Sequence, residues 1–183
     1  MNSRLADVLE DSVKEVLETS YAFPKDESED DFVWDLLRKC ESPIEQMMYI
    51  ALFDLFYSFS EFFCPLEASI SVQKEVTFKK KKFRTDFALT IADTSKFGEG
   101  ATCTYAIECD GHEFHEKTKE QARSDRSRER DLMKLGYKVI RFTGSEIYQD
   151  AFGCAREVIK IILANEKKLL IEHGLLNPDN RQR

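Results

Sequence analysis

The chain has 183 residues, 42% of them hydrophobic and 14 of them Phe, which is enough to fill one domain's core and argues against a disordered chain. Its formal net charge of −7 looks wrong for a nucleic-acid binder, but the charge is unevenly spread. Residues 1–61 carry 5 Lys/Arg against 15 Asp/Glu, whereas residues 62–183 carry 22 against 19 and include "KKKKFR" at 79–84.

Leu5, Val8, Leu9, Val13, Val16 and Leu17 recur at helical spacing and predict an amphipathic, acidic helix over 4–18. It lacks the continuous apolar stretch of a signal peptide, and no run in the chain reaches the roughly 18 residues of a membrane span. "FPKDESEDD" (23–31) reads as a charged linker and "FVWDLLRK" as a short helix. "SPIE" (42–45) opens a longer helix to about residue 58, with Ser42 as N-cap, Pro43 in the first turn and Glu45 completing a capping box. "ASISVQKEVTF" alternates as a strand with Ile70, Val72, Val76 and Phe78 on one face. "FRTDFALTI" puts Phe83, Phe87, Leu89 and Ile91 on one face and Asp86 on the other. After a Gly-containing loop, "CTYAIECD" puts Tyr105 and Ile107 on one face and Glu108 and Asp110 on the other. "EKTKEQARSDRSRERDLMKL" (116–135) is a polar helix ended by Gly136 at C′. "YKVIRF" (137–142) is a strand, and its helical crossover makes it parallel to the strand of Glu108. Ser145 is the expected cap of a last helix whose apolar positions are Ile147, Ala151, Ala155, Val158, Ile161 and Ile162.

In such a hairpin Asp86 shares a face with Glu108 and Asp110. Three converging carboxylates repel one another, a divalent cation relieves the repulsion, and oxygen-only ligation favours Mg²⁺, Mn²⁺ or Ca²⁺. The plain alternative is polar strand residues facing solvent. Cys109, His112 and His115 have a C-x₂-H-x₂-H spacing, but a fourth zinc ligand is not evident and the strand turns Cys109 away from the carboxylate face.

Taken in order, "RTDF", "YAIECDGHEFH" and "DRSRERDLMKLGYKVIRF" resemble the PD-(D/E)XK nuclease superfamily, and most nearly its branch similar to very-short-patch-repair endonucleases and their small uncharacterised relatives. The resemblance covers about residues 42–163. It implies a restriction-endonuclease-like α/β fold: a mixed sheet of about four strands, an antiparallel meander plus one parallel strand, flanked by helices. The implied organisation is an acidic helical extension over 1–40, an endonuclease-like domain over 41–175 and a polar tail over 176–183.

The resemblance also implies roles. Asp86 and Glu108 are the metal-binding acids, with Asp110 as a further ligand where most of the superfamily has a lysine. His115 is the nearest match to the histidine after the Asp-Gly turn, one position later than the pattern places it, and is the expected base in place of that lysine. Asp125 is a supporting acid and Glu45 the glutamate directed at the site from the first core helix. For Glu45 the capping box is a sufficient structural reason by itself. Lys79, Lys80, Lys81, Lys82, Arg84, Arg123 and Arg128 are the expected contacts to a phosphate backbone, though a hairpin turn and a solvated helix face explain such runs more simply.

The expected function is Mg²⁺- or Mn²⁺-dependent endonucleolytic hydrolysis of DNA, with RNA as the other candidate substrate. The alternative, which the missing lysine motivates, is a catalytically inactive nuclease-fold module binding nucleic acid or a protein partner. The N-terminal extension is the candidate surface for a partner or a homodimer. Five scattered cysteines without a CxxC pair read as reduced thiols, so a cytoplasmic location is expected.

Overall fold

The computed structural model describes residues 3–26, 30–59, 66–93, 102–110 and 119–172. The elements are α1 (Ser3–Thr19), α2 (Asp31–Arg38), α3 (Pro43–Phe59), β1 (Leu66–Phe78), β2 (Lys81–Asp93), β3 (Thr102–Asp110), α4 (Lys119–Lys134), β4 (Tyr137–Thr143), α5 (Gly144–Asn165) and α6 (Lys167–Glu172). The strands form one sheet in the order β1-β2-β3-β4. β1, β2 and β3 pair antiparallel and β4 pairs parallel to β3, so the mixed α/β class and the meander expected from the sequence are the ones found.

α3 is apolar nearly all round, as a helix enclosed on every side must be. Met48, Ile50, Ala51 and Leu52 are fully buried between the sheet and the outer helices. Phe87, Leu89, Tyr105, Ile107, Ile140 and Phe142 meet α3 and α5 on one face of the sheet. Alternation sends Ala106 and Val139 to the other face, where α4 covers them with Leu132. α1 contributes Leu9, the segment that follows it Phe23, and α2 Val33, Leu36 and Leu37 to the larger core cluster.

Two differences from the sequence expectation bear on the site. Val72 and Val76, expected on one face, lie in different clusters: Val72 with Phe87 on the α3 side, Val76 with Phe83 and Leu132 on the α4 side. The β1–β2 hairpin rolls between them. The ladder skips from Val72↔Phe87 to Lys74↔Thr85, and Gln73, opposite Asp86, takes a left-handed backbone with φ of 51°. The second difference is the cap of α5. Thr143, not Ser145, is the N-cap, in a reciprocal capping box with Glu146. Asp150 interrupts that helix with φ −157° and ψ 82°, and its carboxylate caps the restart by accepting from the Gly153 N–H at 2.7 Å.

Gly136 ends α4 with φ of 87°, the left-handed stop expected of a C′ glycine. Far along β3 from Glu108, buried Glu166 accepts from the Tyr105 hydroxyl at 2.5 Å and the Cys103 thiol at 3.0 Å, and it pairs with Lys138. The described cysteines, Cys40, Cys103, Cys109 and Cys154, are free thiols.

Candidate active site

The roll at Gln73 creates the site. On one side of Asp86 the β1–β2 ladder is interrupted, and on the other the β2–β3 ladder ends at Phe87↔Ile107. Continued by one step, that register sets Asp86 opposite Glu108. The Cys109 N–H is therefore left over from the ladder, and it donates to Asp86 Oδ2 at 2.7 Å. Two acids from adjacent strands are thus fixed side by side where the sheet splays.

Their surroundings disfavour charge. Burial raises the Asp86 carboxyl from 3.8 to about 7; the Cys109 N–H and Arg128 oppose this, while the charges of Glu108 and Glu45 add to it. Burial likewise raises Glu108, with Arg128 as the main opposing influence. The Glu108 side chain is only 5% exposed. Its Oε2 is paired with the Arg128 guanidinium, and among the described residues its buried Oε1 has no hydrogen-bond partner.

Glu45 serves two ends at once. At the start of α3 it accepts from the Ser42 hydroxyl and the Glu41 N–H, both at 2.9 Å, so its helix-start role is real. It also accepts from Gln73 Nε2 at 2.7 Å, which ties α3 to the rolled strand beside Asp86. Asp110 lies at the end of β3 and pairs with Arg141 at 3.3 Å. Asp125 is half-buried, about one turn before Arg128 on α4. His115 falls within 111–118, outside the described residues, as do His112 and the Asp-Gly turn's glycine.

Beside Asp86 an open cleft of about 490 Å³ is lined by Gln73, Glu75, Lys82, Phe83, Arg84, Asp86 and Arg128. Three cations, Lys82, Arg84 and Arg128, face two acids, Glu75 and Asp86, so the cleft is locally less acidic than the chain as a whole. Lys79 and Lys80 form the two-residue turn after Phe78, Lys81 pairs with Asp131, and Arg123 is exposed on α4. Arg84 is also paired, with Glu41 at 2.5 Å.

The donors decide which cation this place suits. Carboxylate oxygens of Asp86 and Glu108 are hard ligands, and a buried oxygen without a partner needs one, so the pair suits a hard divalent cation. Among the described residues no three His, Cys, Asp or Glu side chains gather into a metal cage. Glu108 and Asp110 instead turn to different arginines.

The family model REase_MTES_1575 matches residues 67–162, just over half of the chain, from the start of β1 into α5. The chain belongs to this restriction-endonuclease-like family. That makes it a member of a nuclease family, in keeping with the four-stranded mixed sheet. No curated protein and no solved structure gave a significant match. Among the described residues no helix is long and apolar enough to cross a membrane.

Sequence reasoning missed Gln73, Arg141 and Glu41. Gln73 gives no local signal, since its backbone is set by the roll of the hairpin. Arg141 was in view within "YKVIRF", and the parallel register Glu108↔Arg141 is what brings it to Asp110.

Proposed function

We propose that the protein is a metal-dependent endonuclease that hydrolyses phosphodiester bonds in DNA, of the kind found in the branch similar to very-short-patch-repair endonucleases. The observation that carries this reading is the pairing of Asp86 with Glu108 across the splayed strands, next to a cleft bearing Lys82, Arg84 and Arg128. Asp86 and Glu108 hold Mg²⁺ or Mn²⁺, with Asp110 as a further ligand or a water-positioning group. Bound there, the cation lowers the pKa of water and offsets charge on the phosphate in transfer. The chain's own part is to bind and orient. Lys82 and Arg84 seat the phosphate backbone, which positions a duplex without reading its sequence. Glu45, through Gln73, keeps the strand roll that presents Asp86. His115 moves the proton, helped by Asp125, in place of the lysine found in most of the PD-(D/E)XK superfamily.

The test is incubation of purified protein with supercoiled and linear DNA in Mg²⁺ or Mn²⁺. Wild type is expected to nick both, and Asp86→Ala to lose at least about a hundredfold in rate, the scale of a lost charge-stabilising group. Equal nicking by the two proteins would mean a contaminant and would sink the reading.

One observation favours a second reading, an inactive module that binds nucleic acid. Glu108 and Asp110 are each already neutralised, by Arg128 and Arg141. DNA binding that weakens steeply with salt, together with no uptake of Mn²⁺, would select this reading over the first.

A further inference from the structure

Arg128 stands in an unusual position. It comes from α4, reaches the acid pair from the cleft, and donates to Glu108 Oε2. Its side chain is 28% exposed against 5% for Glu108, so its guanidinium reaches from solvent into the buried end of the site. Within that end two groups are buried without a hydrogen-bond partner among the described residues: Glu108 Oε1 and Arg128 Nε. A guanidinium has a rigid fork that can give a carboxylate two parallel bonds. This contact uses only one Glu108 oxygen and leaves the other unmet. The pair is therefore charge-compensated but incompletely hydrogen-bonded, so the cost of burying its charges is only partly offset.

We infer that Arg128 is a resident counter-ion that holds the cation's place on Glu108, so that a divalent cation and the Arg128 guanidinium compete for the same carboxylate. Once displaced, the guanidinium remains in the cleft with Lys82 and Arg84, facing the side from which a phosphate enters. A phosphate that draws Arg128 away from Glu108 therefore strengthens cation binding, and by linkage the cation strengthens phosphate binding. The site takes up its cation poorly while empty and well when nucleic acid is present. This inference rests on reading Asp86 and Glu108 as the cation's ligands and assigns Arg128 a positioning role at them.

The experiment counts free Mn²⁺ by electron paramagnetic resonance during titration of the full chain, with and without a short nuclease-resistant phosphorothioate duplex. Arg128→Gln removes the competing charge and is expected to bind Mn²⁺ about tenfold more tightly than wild type without DNA. Arg128→Lys keeps the charge and is expected to stay near wild type. The duplex is expected to tighten Mn²⁺ binding to wild type, and to do so less in Arg128→Gln. An Arg128→Gln protein that binds Mn²⁺ no better than wild type overturns the inference, as does an undiminished response to the duplex. Should Arg128→Gln unfold without metal, Mn²⁺ is expected to restore its folded circular-dichroism signal; failure to do so also overturns it. Asp86→Asn and Glu108→Gln separate the two readings. If they bind Mn²⁺ as wild type does, the cation site itself is misassigned; if they lose binding while Arg128→Gln shows no gain, only the role of Arg128 falls.

Discussion

Burial gives Asp86 a proton affinity that an exposed aspartate lacks, and this can be read from stability alone. The unfolded chain releases that proton near 3.8 and the folded chain near 7. Between those values the folded state binds the extra proton, so this group's contribution to stability falls as pH rises through the window and levels off above it. Glu108 is shifted in the same direction and adds to the slope. Asp86→Asn is expected to flatten the profile and to gain on the order of 2 kcal/mol above neutral pH, measured by urea unfolding in EDTA. A mutant profile parallel to wild type would show that Asp86 is not the group responsible. The same substitution removes the proposed nuclease activity, so a more stable protein is expected to be a dead one.

At the scale of single elements, the helix starts are the most exposed to test. Thr143 accepts from the Glu146 N–H at 3.2 Å, while Glu146 accepts from the Thr143 N–H at 2.8 Å. Thr143→Ala is expected to cost about 1 kcal/mol in chemical denaturation, and Ser145→Ala close to nothing. The reverse ranking would mean that α5 begins where the sequence pattern first placed it. The capping box is also more than a local device here. Thr143 is the last residue of β4, so the strand passes into the helix without a loop and Arg141 is held two residues before the turn. The hairpin shows the opposite balance. Its alternation of apolar residues is regular in sequence, yet Gln73 breaks the ladder, and the same pattern then serves two faces of the sheet in turn.

Over the whole molecule, the acidic N-terminal part is built into the core. Phe23 is 2% exposed and meets the rings of Trp34, Tyr49 and Phe53 edge-on at 5.3–5.9 Å. Asp54 of α3 accepts from the Ser20 hydroxyl at 2.7 Å and from the Ala22 N–H, which fixes the chain where α1 gives way to the linker. Phe23→Ala is expected to lose about 3–5 kcal/mol of unfolding free energy. Removal of residues 1–40 is then expected to leave α3 with an uncovered aromatic face. A fragment that keeps the full protein's cooperative melt would show instead that the N-terminal part is an appendage.

The order of helices and strands, the meander, the Gly136 stop and the parallel return of β4 were legible from the amino-acid sequence by itself, because periodicity and turn chemistry act over a few neighbouring residues. So was the family resemblance, since "RTDF", "IECDG" and "GYKVIRF" are local runs. What only the tertiary structure decided is how the charges pair. Arg128 reaches Glu108 across 20 positions of sequence and Arg141 reaches Asp110 across 31. Neither choice is written in any short pattern, because it depends on which helix covers which face and on where the sheet splays. The roll at Gln73 is of the same kind. A polar residue in a strand is ordinary, and it becomes the hinge of the site only because α3 on one side and α4 on the other each need an apolar stripe from the same hairpin.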